Sequence, residues 1–169
     1  MTTTSSEAID QAQIVKLIDN WASAIRSKDV EEILSNYSKN VSLFDVIEPL
    51  QYFGFDAVRK RATEWFSAFD GPLRYEMHDL RIATNGDVAF SHSLNYVSGT
   101  KTDGKKLDMW WRATVCYRKI GGQWMVAHEH NSVPFNPDTG KASLDLQPPL
   151  SRAGNGLPKA NPDEAAGVR

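Results

Sequence analysis

Residues 75–133 decide the fold: YEMHDLRIAT (75–84), NG (85–86), VAFSHSLNYVS (88–98), TDG (102–104), MWWRATVCYRKI (109–120), GG (121–122) and QWMVAHEHNSV (123–133). The four long runs read as strands, rich in β-branched and aromatic residues and bounded by turn residues. Asn85-Gly86 is the two-residue signature of a tight hairpin turn, and Gly121-Gly122 is a second. Thr102-Asp103-Gly104 closes the hairpin between them. The prediction is an antiparallel meander of four strands over 75–84, 88–98, 109–120 and 123–133.

Upstream the period changes from two to 3.6. Ile14, Leu17, Ile18, Trp21 and Ile25 fall on one face of a helix predicted over 6–27, with Thr4 and Glu7 spaced as a capping box. Asp29 is placed to cap a second helix, with Ile33, Leu34 and Tyr37 on its buried face. Residues 41–45 read as a short strand and 47–54, with Pro49, as a loop. Asp56 is expected to cap a third helix carrying Val58, Ala62, Trp65, Phe66 and Phe69, which Asp70-Gly71-Pro72 ends. This order predicts an α+β class, three N-terminal helices packed on one side of a curved antiparallel sheet.

The length of 169 residues suits one domain. Six of the eight prolines lie at or after Pro134 and no aromatic residue follows Phe135, so the domain is expected over 1–135. Residues 136–169 are expected to be an extended or mobile tail, solvated or laid across a partner subunit. A hydrophobic share of 41% and a charged share of 24% are those of a globular domain. The net charge of −2 argues against nucleic acid as a partner. No apolar run reaches bilayer length, and residues 1–7 lack the basic and apolar segments of a secretory leader, so no membrane partner and a cytoplasmic location are expected. Cys116 is alone, without an evident activating base, and reads as an inert strand cysteine.

Arg112-Ala-Thr114, Tyr117-Arg118-Lys119, Gly122-Gln-Trp124 and His128-Glu-His130-Asn-Ser132-Val-Pro134 resemble the nuclear transport factor 2-like superfamily, the SnoaL-like branch above all. The same run is similar to the association domain of calmodulin-dependent kinase II. Residues 21–29 and 37–45 resemble ketosteroid isomerase, and the resemblance spans about 9–134. It implies a cone-shaped roll, a strongly bent sheet wrapped over helices with a pocket at the wide end. The fold hosts enzymes, binders and assembly modules alike.

Alternation divides the last strand into Trp124, Val126, His128, His130 and Ser132 on one face and Met125, Ala127, Glu129, Asn131 and Val133 on the other. Both faces are partly apolar, so the residues alone leave the inside open. The resemblance implies that Met125, Glu129 and Asn131 face the pocket, with Trp110, Arg112, Thr114 and Cys116 on the strand before and Phe90, His92, Leu94 and Tyr96 on the one before that. Trp21, Tyr37, Asp45 and Val58 complete the implied lining. The substrate-binding set is then Trp21, Tyr37, Val58, Phe90, Trp110, Thr114, Glu129 and Asn131.

Asp45 falls where ketosteroid isomerase has its general base, and a carboxylate in an apolar pocket can take a proton from carbon beside a carbonyl. The positions of that enzyme's two oxyanion donors fall on Trp21 and Thr114, weaker donors, so steroid isomerisation is not expected. His92 or Arg112 would serve as the electrophilic partner, and Arg112 is also placed to pair with Glu129. The implied activity is a cofactor-free isomerase, cyclase or dehydratase acting by proton transfer on a small, largely apolar molecule. The other reading is a non-catalytic binding or assembly module; at the positions of the kinase domain's basic pocket stand Val58, His92, Thr114 and Asn131, which serve an acidic ligand poorly. His128-Glu129-His130 puts two imidazoles on one strand face, as some metal sites do, but a third ligand is missing if His92 points into the cone, so no metal is expected. Trp111, Tyr117, Trp124 and Val126 are expected on the outer sheet face with both histidines, covered by a second copy in a homodimer.

Overall fold

The computed structural model describes residues 6–149. Its elements are α1 (Ser6–Ser27), α2 (Val30–Ser35), β1 (Tyr37–Phe44), β2 (Tyr52–Phe53), α3 (Phe55–Ser67), β3 (Phe69–Asn85), β4 (Val88–Lys101), β5 (Lys106–Ile120) and β6 (Gln123–Ser132). The six strands form one open sheet in the order β2-β1-β6-β5-β4-β3. β3 to β6 are the expected meander, and β1 joins it parallel to β6. The architecture is α+β, with helices covering the concave side of the sheet.

α1 buries Ile14, Ile18, Ala22 and Ile25 against the sheet, the stripe that its period requires. Asp29 caps α2 by accepting the Glu32 N–H at 3.0 Å. Thr4, of the expected capping box, lies outside the described residues. Three local expectations are corrected. Tyr37 opens β1 instead of closing α2. Gly54, at φ 83°, caps α3, and Asp56 sits in its first turn. The helix stops at Ser67, and Phe69 to Pro72 belong to β3: Gly71, at φ 70°, falls where the register to β4 breaks, so the bend is absorbed inside the strand. The expected loop before α3 contains β2, paired with β1. Of the expected tail, Phe135 bridges Ala142 around a turn built on Asn136, and residues 150–169 lie outside the described residues.

Register fixes the faces. On β4 the residues turned toward the helices are Ala89, Ser91, Ser93, Asn95 and Val97, all buried. Their partners on β5 are Tyr117, Val115, Ala113, Trp111 and Met109. Phe90, His92, Leu94 and Tyr96 pair with Cys116, Thr114, Arg112 and Trp110 on the convex face. On β6, Glu129 and Asn131 pair with Val115 and Ala113 and are concave, while His128 and His130 pair with Cys116 and Thr114 and are convex. Between Cys116 and Tyr117 the register slips by one, leaving Ala127 as an extra residue on β6. Beyond it Val126 and Trp124 are concave and buried, and Met125 turns outward. A bulge of one residue inverts the alternation for the rest of the strand.

Candidate functional site

Two compartments lie between the helices and the concave face. The outer one, about 130 Å³, is walled by Trp21 and Ile25 of α1, Leu43 of β1, Val58, Arg61 and Trp65 of α3, Met109 and Trp111 of β5, and Glu129 and Asn131 of β6. Asp45 and Val46, just past β1, complete it. Its size approaches that of a cavity that takes one benzene ring. The inner one, about 30 Å³, lies deeper, against Ser91, Ser93 and Asn95 of β4 and Tyr117 of β5. Trp21, Tyr37 and Glu129 border both.

Two carboxyl groups face the outer cavity in different settings. Asp45 continues the inward parity of Leu43. Its Oδ2 accepts the Arg61 Nε–H at 2.6 Å and its Oδ1 the Val46 N–H at 2.6 Å. The side chains of Arg61 and Asp45 are only 15% and 10% exposed, so solvent screens this pair little. Arg61 reaches the cavity because it lies one turn from Val58 and from Trp65 on the apolar face of α3.

Glu129 is 6% exposed, and no lysine or arginine among the described residues pairs with it. Its Oε2 accepts the Tyr37 hydroxyl and its Oε1 the Asn131 Nδ2 at 2.7 Å. Both donors are held in turn: Trp21 Nε1 donates to Tyr37 Oη at 3.2 Å, and Trp111 Nε1 to Asn131 Oδ1 at 3.1 Å. Burial pushes the Glu129 carboxyl above its ordinary range, and the negative charge of Asp45 adds to the rise. The two donors and the Arg61 charge pull the other way without cancelling it. Burial, with Glu129 beside it, holds the Tyr37 phenol far above its usual value, so Tyr37 stays a neutral donor.

Of the residues singled out in the sequence, the cavity gathers Trp21, Tyr37, Asp45, Val58, Glu129 and Asn131. It does not include His92, Arg112, Phe90, Trp110 or Thr114, which lie on the convex face because their strand parity is the opposite of the one expected. Arg112 and Glu129 therefore stand on opposite faces and cannot pair; the partner of Glu129 is Tyr37 instead. Trp111, Tyr117, Trp124 and Val126 are likewise inside, not on the outer face, and Trp124 Nε1 donates to Asp10 of α1 at 3.1 Å. Arg61 was the legible omission: a cation at helical spacing among Val58, Ala62 and Trp65 is out of place on an apolar face.

The histidines also move. His92 shares the convex face with His128 and His130, contrary to expectation. Yet His92 and His130 are separated by Thr114 on the intervening strand, two interstrand steps or about 10 Å. Phe44 packs edge-on against the rings of His128 and His130. His128 Nδ1 is engaged with Ser42. Among the described residues no three His, Cys, Asp or Glu side chains come together as a metal site.

Comparison with known proteins agrees with this fold. The SnoaL-like domain model matches residues 14–136. The chain is similar to an NTF2-like protein of unknown function from Pseudomonas putida KT2440, at 36% identity over 83% of this chain and 97% of that one, with a TM-score of 0.76. It shares its fold with a ketosteroid isomerase-like protein from Erwinia carotovora atroseptica (20% identity, 72% and 93% covered, TM-score 0.63). The same holds for a proposed dehydratase of the NTF2-like family from Streptomyces avermitilis (15% identity, 75% and 97% covered, TM-score 0.66). No protein with a curated description matches the chain in sequence. The concave face with its two carboxyl groups is thus carried by a chain that belongs to the SnoaL-like domain family.

Proposed function

We propose that the outer cavity binds a small, largely apolar molecule bearing a carbonyl or hydroxyl, and that the protein moves a proton on it without a cofactor, as an isomerase, cyclase or dehydratase does. One observation carries this reading: Asp45, with a guanidinium partner, and Glu129, with none, face the same apolar cavity. Two carboxyl groups in environments this different can divide the work of base and acid. Asp45, paired with Arg61, takes the proton. Glu129, inclined to its neutral form by burial, and the Tyr37 hydroxyl donate hydrogen bonds where charge develops on the ligand oxygen. Trp21, Val58, Trp65 and Met109 supply the apolar walls.

That both Asp45 oxygens already accept a hydrogen bond favours a second reading, a binding module without turnover. A homodimer fits either, through the convex face where Phe44 and Phe90 are 37% and 48% exposed.

The test is a thermal-shift panel of small cyclic ketones and hydroxyketones, followed by NMR of each bound compound for turnover. Asp45→Asn keeps an acceptor for Arg61, so binding should hold while turnover falls by ~10²–10⁴. Turnover unchanged in Asp45→Asn would remove Asp45 as the base. Binding with no turnover in the parent protein would establish the binding module.

A further inference from the structure

Arg61 holds more donors than its place in the fold uses. Arg59, Lys60 and Arg61 are three consecutive cations of α3. Arg59 pairs with Glu31 and lies over the Phe55 ring, and Lys60 reaches Glu64, one turn on, at 3.9 Å. Of the three, only Arg61 lines the outer cavity, and it is the single basic residue of that wall. Its guanidinium engages Asp45 through Nε, at 2.6 Å. Its two Nη groups, with the other four N–H donors, meet no acceptor among the described residues, although the side chain is only 15% exposed. An ammonium would serve Asp45 alone; a guanidinium adds a second, planar edge of paired donors. Charged donors left idle in a largely desolvated wall are costly.

We propose that the two Nη groups of Arg61 receive a carboxylate of the ligand, while the ligand's ring lies among Trp21, Val58, Trp65 and Met109. Donor geometry and charge agree on this. Two parallel N–H donors on one planar edge match the two oxygens of a carboxylate, whereas a carbonyl offers one oxygen and an alcohol brings no charge to strengthen the bond. Glu129 is inclined to its neutral form by burial, so a ligand anion meets the guanidinium without a second ionised carboxylate held against it. A phosphate dianion would bring a further negative charge for which the wall has no cation. Arg61 and Asp45 both act on the charge of Glu129, which puts the guanidinium in the same cavity as the assigned acid. Arg61 then has two tasks, holding Asp45 by Nε and the ligand by Nη, so that the carboxylate is seated next to the base. The inference rests on the outer cavity being the ligand site, and it narrows the ligand class to ring compounds that carry one carboxylate.

Isosteric pairs test it: benzoate with benzamide, and phenylacetate with phenylacetamide, titrated into the full chain near neutral pH and followed by ligand-observed NMR. The parent protein should bind each carboxylate more tightly than its amide by roughly tenfold to a hundredfold, the worth of one charge-assisted contact. Arg61→Met by itself would leave Asp45 buried without its partner, so it is combined with Asp45→Asn, which removes both charges together. Arg61→Lys is the companion: it keeps a cation on Asp45, and with it the fold, but has no second edge of donors. The double variant should bind the two members of each pair alike, Arg61→Lys should lower the preference for carboxylate several-fold, and amide affinity should change far less in both. Amides bound as tightly as carboxylates by the parent protein, or a preference for carboxylates that survives either variant intact, would overturn the Arg61 site while leaving the outer cavity standing. No binding by either class would overturn the outer cavity and the Arg61 site together.

Discussion

Replacing Glu129 by Gln should change how stability depends on pH, with a sign that the structure fixes. Burial raises the Glu129 carboxyl above its ordinary 4.5 in the folded chain. Between 4.5 and that higher folded value the native state holds one proton that the unfolded chain has lost. Stability contributed by the neutral carboxyl is therefore complete below 4.5 and declines as pH rises through the folded value. One proton gives a slope of at most ~1.4 kcal/mol per pH unit. Gln does not titrate and abolishes this slope. The amide has its own pH-independent cost: Asn131 is fixed by Trp111 and keeps offering Nδ2, so the Gln carbonyl must face Asn131 and its NH₂ must face Tyr37, whose hydroxyl then turns to accept. One rearranged hydrogen bond is about 1 kcal/mol. Urea unfolding of both proteins from pH 4 to 9 isolates the term, since every other titrating group is shared. The parent protein should be the more stable below pH 4.5, Glu129→Gln should gain on it as pH rises, and the difference should level off once Glu129 ionises in both states. A difference independent of pH, or one that grows in the parent's favour, would refute a raised Glu129 and with it the acid assigned in the cavity.

Two further outcomes test the packing and the convex face. An added Cβ at Gly99 would stand 2.7 Å from Leu73 Cδ2 and 3.2 Å from Phe69 Cδ1, both side chains buried, so Gly99→Ala should cost roughly 1–3 kcal/mol and lower Tm by several degrees, partly relieved by Leu73→Val; an unchanged Tm would mean that β3 and β4 give way there at no cost. Phe90→Asp should disrupt the homodimer proposed through the convex face, leaving a monomer by light scattering with an unchanged far-UV spectrum; a dimer that survives this change and Phe44→Asp does not use that face.

The strands and their turns were legible because period two and the residues of a tight hairpin are local properties. Which parity faces inward is not local. On β4 the set Phe90, His92, Leu94 and Tyr96 reads as a core face, yet Ser91, Ser93 and Asn95 are the buried set and border the inner compartment. Sequence rules for burial fail where a site demands polar groups inside. The Asp45–Arg61 pair joins a strand end to a helix face and is invisible without the tertiary fold. On β6 no single parity fits, since Ala127 reverses it within the strand.

Deleting Ala127 puts that reversal to the test. With the extra residue gone, β6 can pair with β5 without a break, and alternation becomes continuous along the strand. If the pairing of His128 to Ser132 is kept, Trp124 and Val126, now 6% and 3% exposed, must turn to the convex face, and the Trp124–Asp10 hydrogen bond is lost. If the pairing beyond the bulge is kept instead, Glu129 and Asn131 leave the cavity and their network with Tyr37, Trp21 and Trp111 comes apart. Losing one buried tryptophan costs about 3–5 kcal/mol. A whole domain has only ~5–15 kcal/mol to lose. The deletion should thus leave a chain that is largely unfolded, or folded with a urea midpoint far below the parent's. Ala127→Gly keeps the residue count and should cost about 1 kcal/mol or less. A deletion variant as stable as the parent would show that the bulge does not set the parity, and that Glu129 owes its place in the cavity to something other than register.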